Sequence, residues 1–180
     1  MDRERGPRVP EQRSPAPNEV NNDAVELRFS VLGPVRAWRA GTALQTGSPQ
    51  QRALLSALLL RDGRTATSHE LIDAIWGEEP PSQALAAIRT YAHRLRKVLS
   101  ATTLVSESGG YALRIERDAL DLFVAQELAA SAEKTRAAGD PGHARMLVNK
   151  SLGLWDGEPL ANVPGPYAEG QRARLEEWRL

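Results

Sequence analysis

The 180-residue sequence contains no cysteine, which excludes disulfides and thiolate chemistry and fits a reducing compartment. No apolar run approaches the roughly 18 residues needed to cross a bilayer, so no membrane segment is expected. Aromatic residues make up only 5% of the chain. The four tryptophans (Trp38, Trp76, Trp155, Trp178) fall at apolar positions of expected strands or helices, and read as core rather than as stacking platforms for bases. Histidine is scarce. His69, His93 and His143 lie far apart without metal-ligand spacing, so no metal site is expected. No G-x-x-x-x-G-K-[ST] phosphate loop occurs. Ser106 and Ser108 have no histidine or acid placed to make a nucleophile. The residues therefore point to no enzyme and no cofactor.

Net charge is absent too, with 23 Lys+Arg against 23 Asp+Glu. The distribution is not neutral. Between Pro80 and Ser106 stand Arg89, Arg94, Arg96 and Lys97 with no acid, whereas Glu116 to Asp140 is mainly acidic. A basic middle and an acidic later segment suggest different partners for different parts of the chain. The first 23 residues, rich in proline and charge and poor in large apolar groups, read as a disordered leader. They contain no apolar core of a secretory signal.

VELRFSVLG (25–33) alternates, placing Val25, Leu27, Phe29 and Val31 on one face of a half-buried strand. VRAW and the segment after it predict two more short strands around a turn at Gly41. Three helices follow. Ser48, Pro49 and Gln51 open the first with a capping box, and Thr67 and Glu70 open the second in the same way. After the stiff, acidic connector Gly77-Glu78-Glu79-Pro80-Pro81, Ser82 is expected to cap a helix running to about Leu99. LVSESGGYALRI (104–115) reads as a hairpin turning at Ser108-Gly109-Gly110. Two helices close in sequence, a longer basic helix and a hairpin describe a winged helix-turn-helix. Beyond it, segments 121–140 and 141–155 predict a helical hairpin, and a third helix begins near Tyr167. The pattern suggests tetratricopeptide-like stacking, which needs several repeats, and reads as incomplete.

On a helical wheel, Leu85, Ile88, Ala92, Leu95 and Leu99 share one face. Ala86, Thr90, His93, Arg94 and Lys97 lie opposite, with Arg89 at the margin and Arg96 nearer the apolar boundary. A solvated helix face normally mixes charge signs in i, i+4 pairs, and this one does not. Duplex DNA would supply the missing negative charge, and its major groove admits a helix. On this reading Thr90, His93, Arg94 and Lys97 are candidates for base contact. Arg89, Arg96, Thr67 and Ser68 are candidates for phosphate, the last two at a helix N-terminus. The wing, Ser108, Gly109 and Gly110, is a candidate to enter the minor groove, although it carries no arginine at its tip. A plain solvated face, or a helical interaction module whose basic helix meets an acidic protein, stays open on the helix alone.

GPVRAW, SPQQRALLSALLL, LIDAIWGEEPP, RTYAHRLRKVL and GGYAL, in this order and spacing, resemble the Streptomyces antibiotic regulatory protein family. LGLWDGEPLANV and ARLEEWR resemble its bacterial transcriptional activator domain, as found in the N-terminal module of AfsR-type global regulators. The resemblance implies a mainly α fold with a small antiparallel β component: an OmpR-type winged helix over residues 24–116, then an incomplete activator domain over 117–180. It implies a cytoplasmic, nucleoid-associated activator of antibiotic genes that binds direct repeats near the promoter −35 region, with a second copy alongside. It also implies that Gly77, Glu78, Glu79, Pro80 and Pro81 touch the sigma factor or core subunits of RNA polymerase. A connector that merely sets the entry of the next helix is the other reading of that loop. Any nucleotide-dependent control implied by the AfsR-type proteins would lie outside these residues.

Overall fold

The computed structural model describes residues 27–180, so the expected leader and Val25 lie outside the described residues. Strands β1 (Leu27–Ser30), β2 (Arg36–Arg39) and β3 (Thr42–Ala43) form an antiparallel sheet in that order, with Phe29 opposite Ala37 and Trp38 opposite Ala43. The alternation in the sequence holds: Leu27, Phe29 and Val31 point into the core.

Helix α1 (Pro49–Leu59) is buried on nearly every side, as its unbroken run Ala53-Leu54-Leu55-Ser56-Ala57-Leu58-Leu59 requires. Each fully buried leucine contributes about 2 kcal/mol of transfer free energy. Ser48 Oγ accepts the Gln51 N–H at 3.2 Å, with Pro49 at the first helical position. The expected reciprocal bond is replaced: the Gln51 side chain is buried against Gly47. Strand β4 (Ala66–Thr67) leads into α2 (Ser68–Trp76), then come α3 (Ala84–Leu99), β5 (Leu104–Glu107) and β6 (Gly110–Leu113). The second sheet has the order β4-β6-β5, so the hairpin expected from the sequence gains a third strand.

Ser82 does not cap α3. Gln83 holds the N-cap position without a side-chain bond, and the Ala84 N–H reaches the Pro81 carbonyl at 3.1 Å. The proline pair thus closes a turn one residue later than expected. At the other end of α3, the Arg39 guanidinium donates to the Leu99 carbonyl at 2.5 Å, placing a cation at the negative end of the helix.

A short 3-10 turn (Arg117–Ala119) leads to α4 (Asp121–Ala137), α5 (Pro141–Leu152) and α6 (Pro166–Arg179). Asp140 caps α5 by accepting the His143 N–H at 2.9 Å. Buried Ser151 ties α5 to α4 through the Ala125 carbonyl at 2.9 Å. Near the end of α6, Trp155 and Trp178 lie 6.0 Å apart, with the Arg179 guanidinium 5.0 Å from the Trp155 ring centre.

The helical layer is knitted to the first sheet around residues 31–35. Asp121 Oδ1 accepts the N–H groups of Val31 (2.9 Å) and Leu122 (2.8 Å), and Oδ2 accepts that of Leu32 (3.1 Å). The loop after α5 returns to the same place. The Asp156 N–H donates to the Leu32 carbonyl at 2.8 Å, and Asn162 exchanges bonds with both backbone groups of Val35. Leu160 is fully buried with φ +55°, its N–H shared between the Val31 and Gly33 carbonyls. Arg172 on α6 closes the loop by donating to the carbonyls of Pro159, Leu160 and Val163. Backbone groups that a loop would otherwise bury unpaired are thereby satisfied.

Candidate nucleic-acid interface

Helix α3 buries Ala84, Ile88, Ala92, Leu95 and Leu99 against the core. Leu85, expected inside, is 44% exposed, and Ala84 takes its place. Ala84, Ile88 and Ala92 follow one another at i, i+4 along the core-facing line, and Leu85 stands beside that line. Opposite the core, Ala86, Arg89, Thr90, His93, Arg94 and Lys97 are all exposed. The Thr90 hydroxyl donates to the Ala86 carbonyl at 3.0 Å. Its proton is therefore used within the helix, and it presents a methyl and acceptor lone pairs outward.

Arg96 is placed differently from the other cations. Its Nε donates to the Leu104 carbonyl at 2.9 Å and its Nη2 to Ser106 Oγ at 2.7 Å. Those bonds tie the exposed helix to the first wing strand. At the start of α2, Thr67 Oγ1 accepts the Glu70 N–H at 3.1 Å while Glu70 accepts the Thr67 N–H at 2.7 Å, which completes the expected capping box. The Glu70 carboxylate, held below its usual range chiefly by the Thr67 N–H, thus lies at the helix N-terminus where an external anion would bind. Ser68 donates through both its N–H and its hydroxyl to the Gly109 carbonyl, each at 3.1 Å. The polar groups of Thr67, Ser68 and Arg96 are thus engaged within the fold, and together they set α2, α3 and the wing relative to one another.

The wing turn is tight, with Ser108 at φ +38° and Gly109 at φ +78°. Gly110 is required by contact: a Cβ there would overlap the Ala66 carbonyl across the β4–β6 pair. Gly110→Ala is accordingly expected to part β4 from β6 and cost about 1–3 kcal/mol, measurable as a lower midpoint in thermal unfolding followed by circular dichroism. Ser68, Arg89, Ser106, Ser108, Gly109 and Tyr111 border a shallow cleft of about 330 Å³ between α3 and the wing. Glu107, in the same wing, is neutralised from within. Arg114 Nη2 binds it at 2.6 Å and Thr65 at 2.8 Å, and the Arg114 bond foremost holds its carboxyl below the usual range. Glu107 and Arg114 carry no signal in the sequence, because their pairing and that of Glu107 with Thr65 join residues that no local pattern connects.

The loop Gly77–Pro81 leaves the end of α2 with Glu78, Glu79, Pro80 and Pro81 exposed. Gly77 ends the helix with φ +62°, its N–H bonded to the Asp73 carbonyl at 2.9 Å. The loop therefore stands next to the start of α3, while the cations lie further along that helix. His69 lies on the outer face of α2, 3.7 Å from Asp73. Among the described residues no helix is long and apolar enough to cross a membrane.

Together these elements make a winged helix-turn-helix joined to a layer of three helices. Residues 43–113 match the family described as "Transcriptional regulatory protein, C terminal", and residues 120–180 match "Bacterial transcriptional activator domain". This pair of domains is the architecture of the Streptomyces antibiotic regulatory protein family. It is 71% identical over 182 residues to Regulatory protein AfsR of Streptomyces griseus, a match that covers 100% of this chain and 18% of that protein. It is 35% identical to Transcriptional regulatory protein MoaR1 of Mycobacterium tuberculosis, covering 87% of this chain and 52% of that one. Among solved structures, Mycobacterium tuberculosis EmbR in complex with a low affinity phosphopeptide superposes with a TM-score of 0.80 at 30% identity, over 86% of this chain and 42% of EmbR. The chain thus spans about a fifth of the length of AfsR and about half that of MoaR1.

Proposed function

We propose that this chain is the DNA-reading and activating part of a transcriptional activator. It binds direct repeats near the −35 region of promoters for antibiotic-type secondary metabolism, with a second copy on the adjacent repeat. The observation that supports this reading most is the outer face of α3, where Arg89, His93, Arg94 and Lys97 are exposed together with no acid on the helix. Arg94 and Lys97 suit guanine O6 and N7, Thr90 suits a thymine methyl, and His93 lies between them. Arg89, at the cleft beside the wing, suits phosphate. Arg96, Thr67 and Ser68 serve the same contact by holding the wing and α2 in place. The wing Ser108-Gly109-Gly110 follows the backbone towards the minor groove without reading it.

The acidic loop Gly77–Pro81, next to the start of α3, contacts RNA polymerase at the sigma factor or a core subunit. Its two exposed carboxylates and two prolines make a stiff, negatively charged surface suited to a basic partner. The protein acts on the nucleoid in the cytoplasm.

Phosphate contact has a direct signature in salt. The observed affinity for a duplex bearing the repeat is expected to fall steeply between about 50 and 200 mM salt, with a log–log slope near −0.9 per phosphate contacted. Arg89→Ala is expected to lower affinity about equally on all sequences and to shrink the slope by about one. Binding that scarcely varies with salt would instead favour an acidic protein as the partner of α3.

A further inference from the structure

We infer that the first turn of α6, Gly165-Pro166-Tyr167, is the seat that fixes the α2–α3 loop, so that the activator layer positions the loop as well as following it in the chain. This rests on the reading of Gly77–Pro81 as the polymerase contact. The loop itself has little to hold it. The Gly77 N–H reaches Asp73, the Glu79 N–H reaches the Trp76 carbonyl at 3.4 Å, and the Pro81 carbonyl accepts the Ala84 N–H. Its direction is set by where Gly77 leaves α2, and that point lies against α6.

Gly165 has φ +101°, and a Cβ on it would stand 2.6 Å from the Ile75 carbonyl oxygen and 3.0 Å from that of Ala74. The backbone entering α6 is therefore pressed against the last carbonyls of α2, and only glycine permits that approach. Pro166 follows at the first helical position, its Cγ 3.2 Å from where a Cβ of Gly77 would sit. Tyr167 packs half-buried against the core, and with Pro166 it walls a groove against Leu71 and Ala74. Just beneath, Trp76 of α2 and Tyr91 of α3 lie 6.4 Å apart. The negative end of α2 meets the positive end of α6, an arrangement that favours the contact electrostatically. None of these α6 residues lies on the exposed face of α3, so the seat acts on the loop and not on the DNA-reading surface.

The test uses the whole chain, a duplex bearing the selected repeat, and run-off transcription with bacterial RNA polymerase. Gly165→Val is expected to keep DNA affinity within about twofold while activated transcript falls at least about fivefold, the size of a typical coupling between sites. Tyr167→Ala, which loosens the seat without a backbone clash, is expected to show the same split, and it decides the matter if Gly165→Val does not fold. Glu78→Ala/Glu79→Ala probes the loop directly. If that pair loses activation while both folded seat variants keep it, the seat inference is overturned and the loop reading stands. If the pair keeps full activation, the loop reading fails and the inference falls with it. A folded seat variant that loses DNA binding in step with transcription would show that α6 orients α3 instead, which also overturns it.

Discussion

Arg94→Ala is expected to relax sequence preference at the positions it reads in each repeat while leaving the folded protein as stable as its parent. Arg94 is exposed on the side of α3 opposite Ile88, Ala92, Leu95 and Leu99, and no packing depends on it. Loss of a bidentate contact to a guanine costs about 1–3 kcal/mol of discrimination, which is roughly a 5- to 150-fold weaker complex with the repeat. Exposed substitutions of this kind change stability by about 0.5 kcal/mol or less, so the unfolding midpoint should move by no more than about 2 °C. The check is an affinity measurement on repeat and scrambled duplexes beside a thermal melt. Lys97→Ala should act in the same direction. Arg96→Ala should differ in kind: it frees the wing strand from α3 and should lower stability as well as affinity, since Leu104 and Ser106 lose their donor.

The second large effect is expected far from that face, at Asp121. One carboxylate there accepts three backbone N–H groups, two of them from the end of β1. Asp121→Ala leaves those donors in a mostly buried joint without an acceptor, at about 1–3 kcal/mol for each group left unsatisfied. A loss of about 3 kcal/mol overall corresponds to a midpoint lowered by roughly 6–12 °C for a chain of this size. Burial pushes the Asp121 carboxyl up to about 6, with the three N–H donors of Val31, Leu32 and Leu122 opposing it. The sign then follows. Between the unfolded value near 4 and the folded value near 6 the native state holds more protons than the unfolded one, so this residue makes stability fall as pH rises through that window and level off above it. Asp121→Asn keeps an acceptor for Val31 and Leu122 but turns an amide N–H towards Leu32. It should lose less stability than alanine and show no such decline. Chemical denaturation at several pH values between about 4 and 7 measures both effects.

The winged helix was legible in the sequence because its signals are local. Thr67 and Glu70 form their capping box three residues apart, Ser108 and Gly109 supply the positive φ values of the wing turn, and the cations of α3 repeat at helical spacing. The misreadings are also local. Ser82 is a sound capping residue in the abstract, but the turn closed by Pro81 moves the start of α3 to Ala84. Leu85 is exposed while Ala84 faces the core. Strand β4 escaped notice because two residues carry no alternation, and it exists only by pairing with Gly110 and Tyr111.

What could not be read was the joint. Asp121 is 90 residues from Val31, and Asn162 is 127 from Val35. Each looks like an ordinary helix-start or loop polar residue until the chain folds. The same holds at the candidate site, where the helical pattern displays the exposed cations of α3 but is silent on Arg96. Its apolar-boundary position is compatible with either solvent or the wing, and tertiary contact decides for the wing. The acidic loop was legible as exposed and stiff, whereas its support by Pro166 was not, since Gly77 and Pro166 lie 89 residues apart in the chain.

The most direct test of the central claim, that the outer face of α3 reads DNA sequence, is selection from a randomised duplex pool by the parent chain and by Arg94→Ala, each at two salt concentrations. The account predicts that the parent enriches a tandem short repeat, more weakly at the higher salt, and that the variant loses enrichment at specific positions of each repeat. Binding by the parent without enrichment, or the same repeat selected equally well by Arg94→Ala, would contradict it.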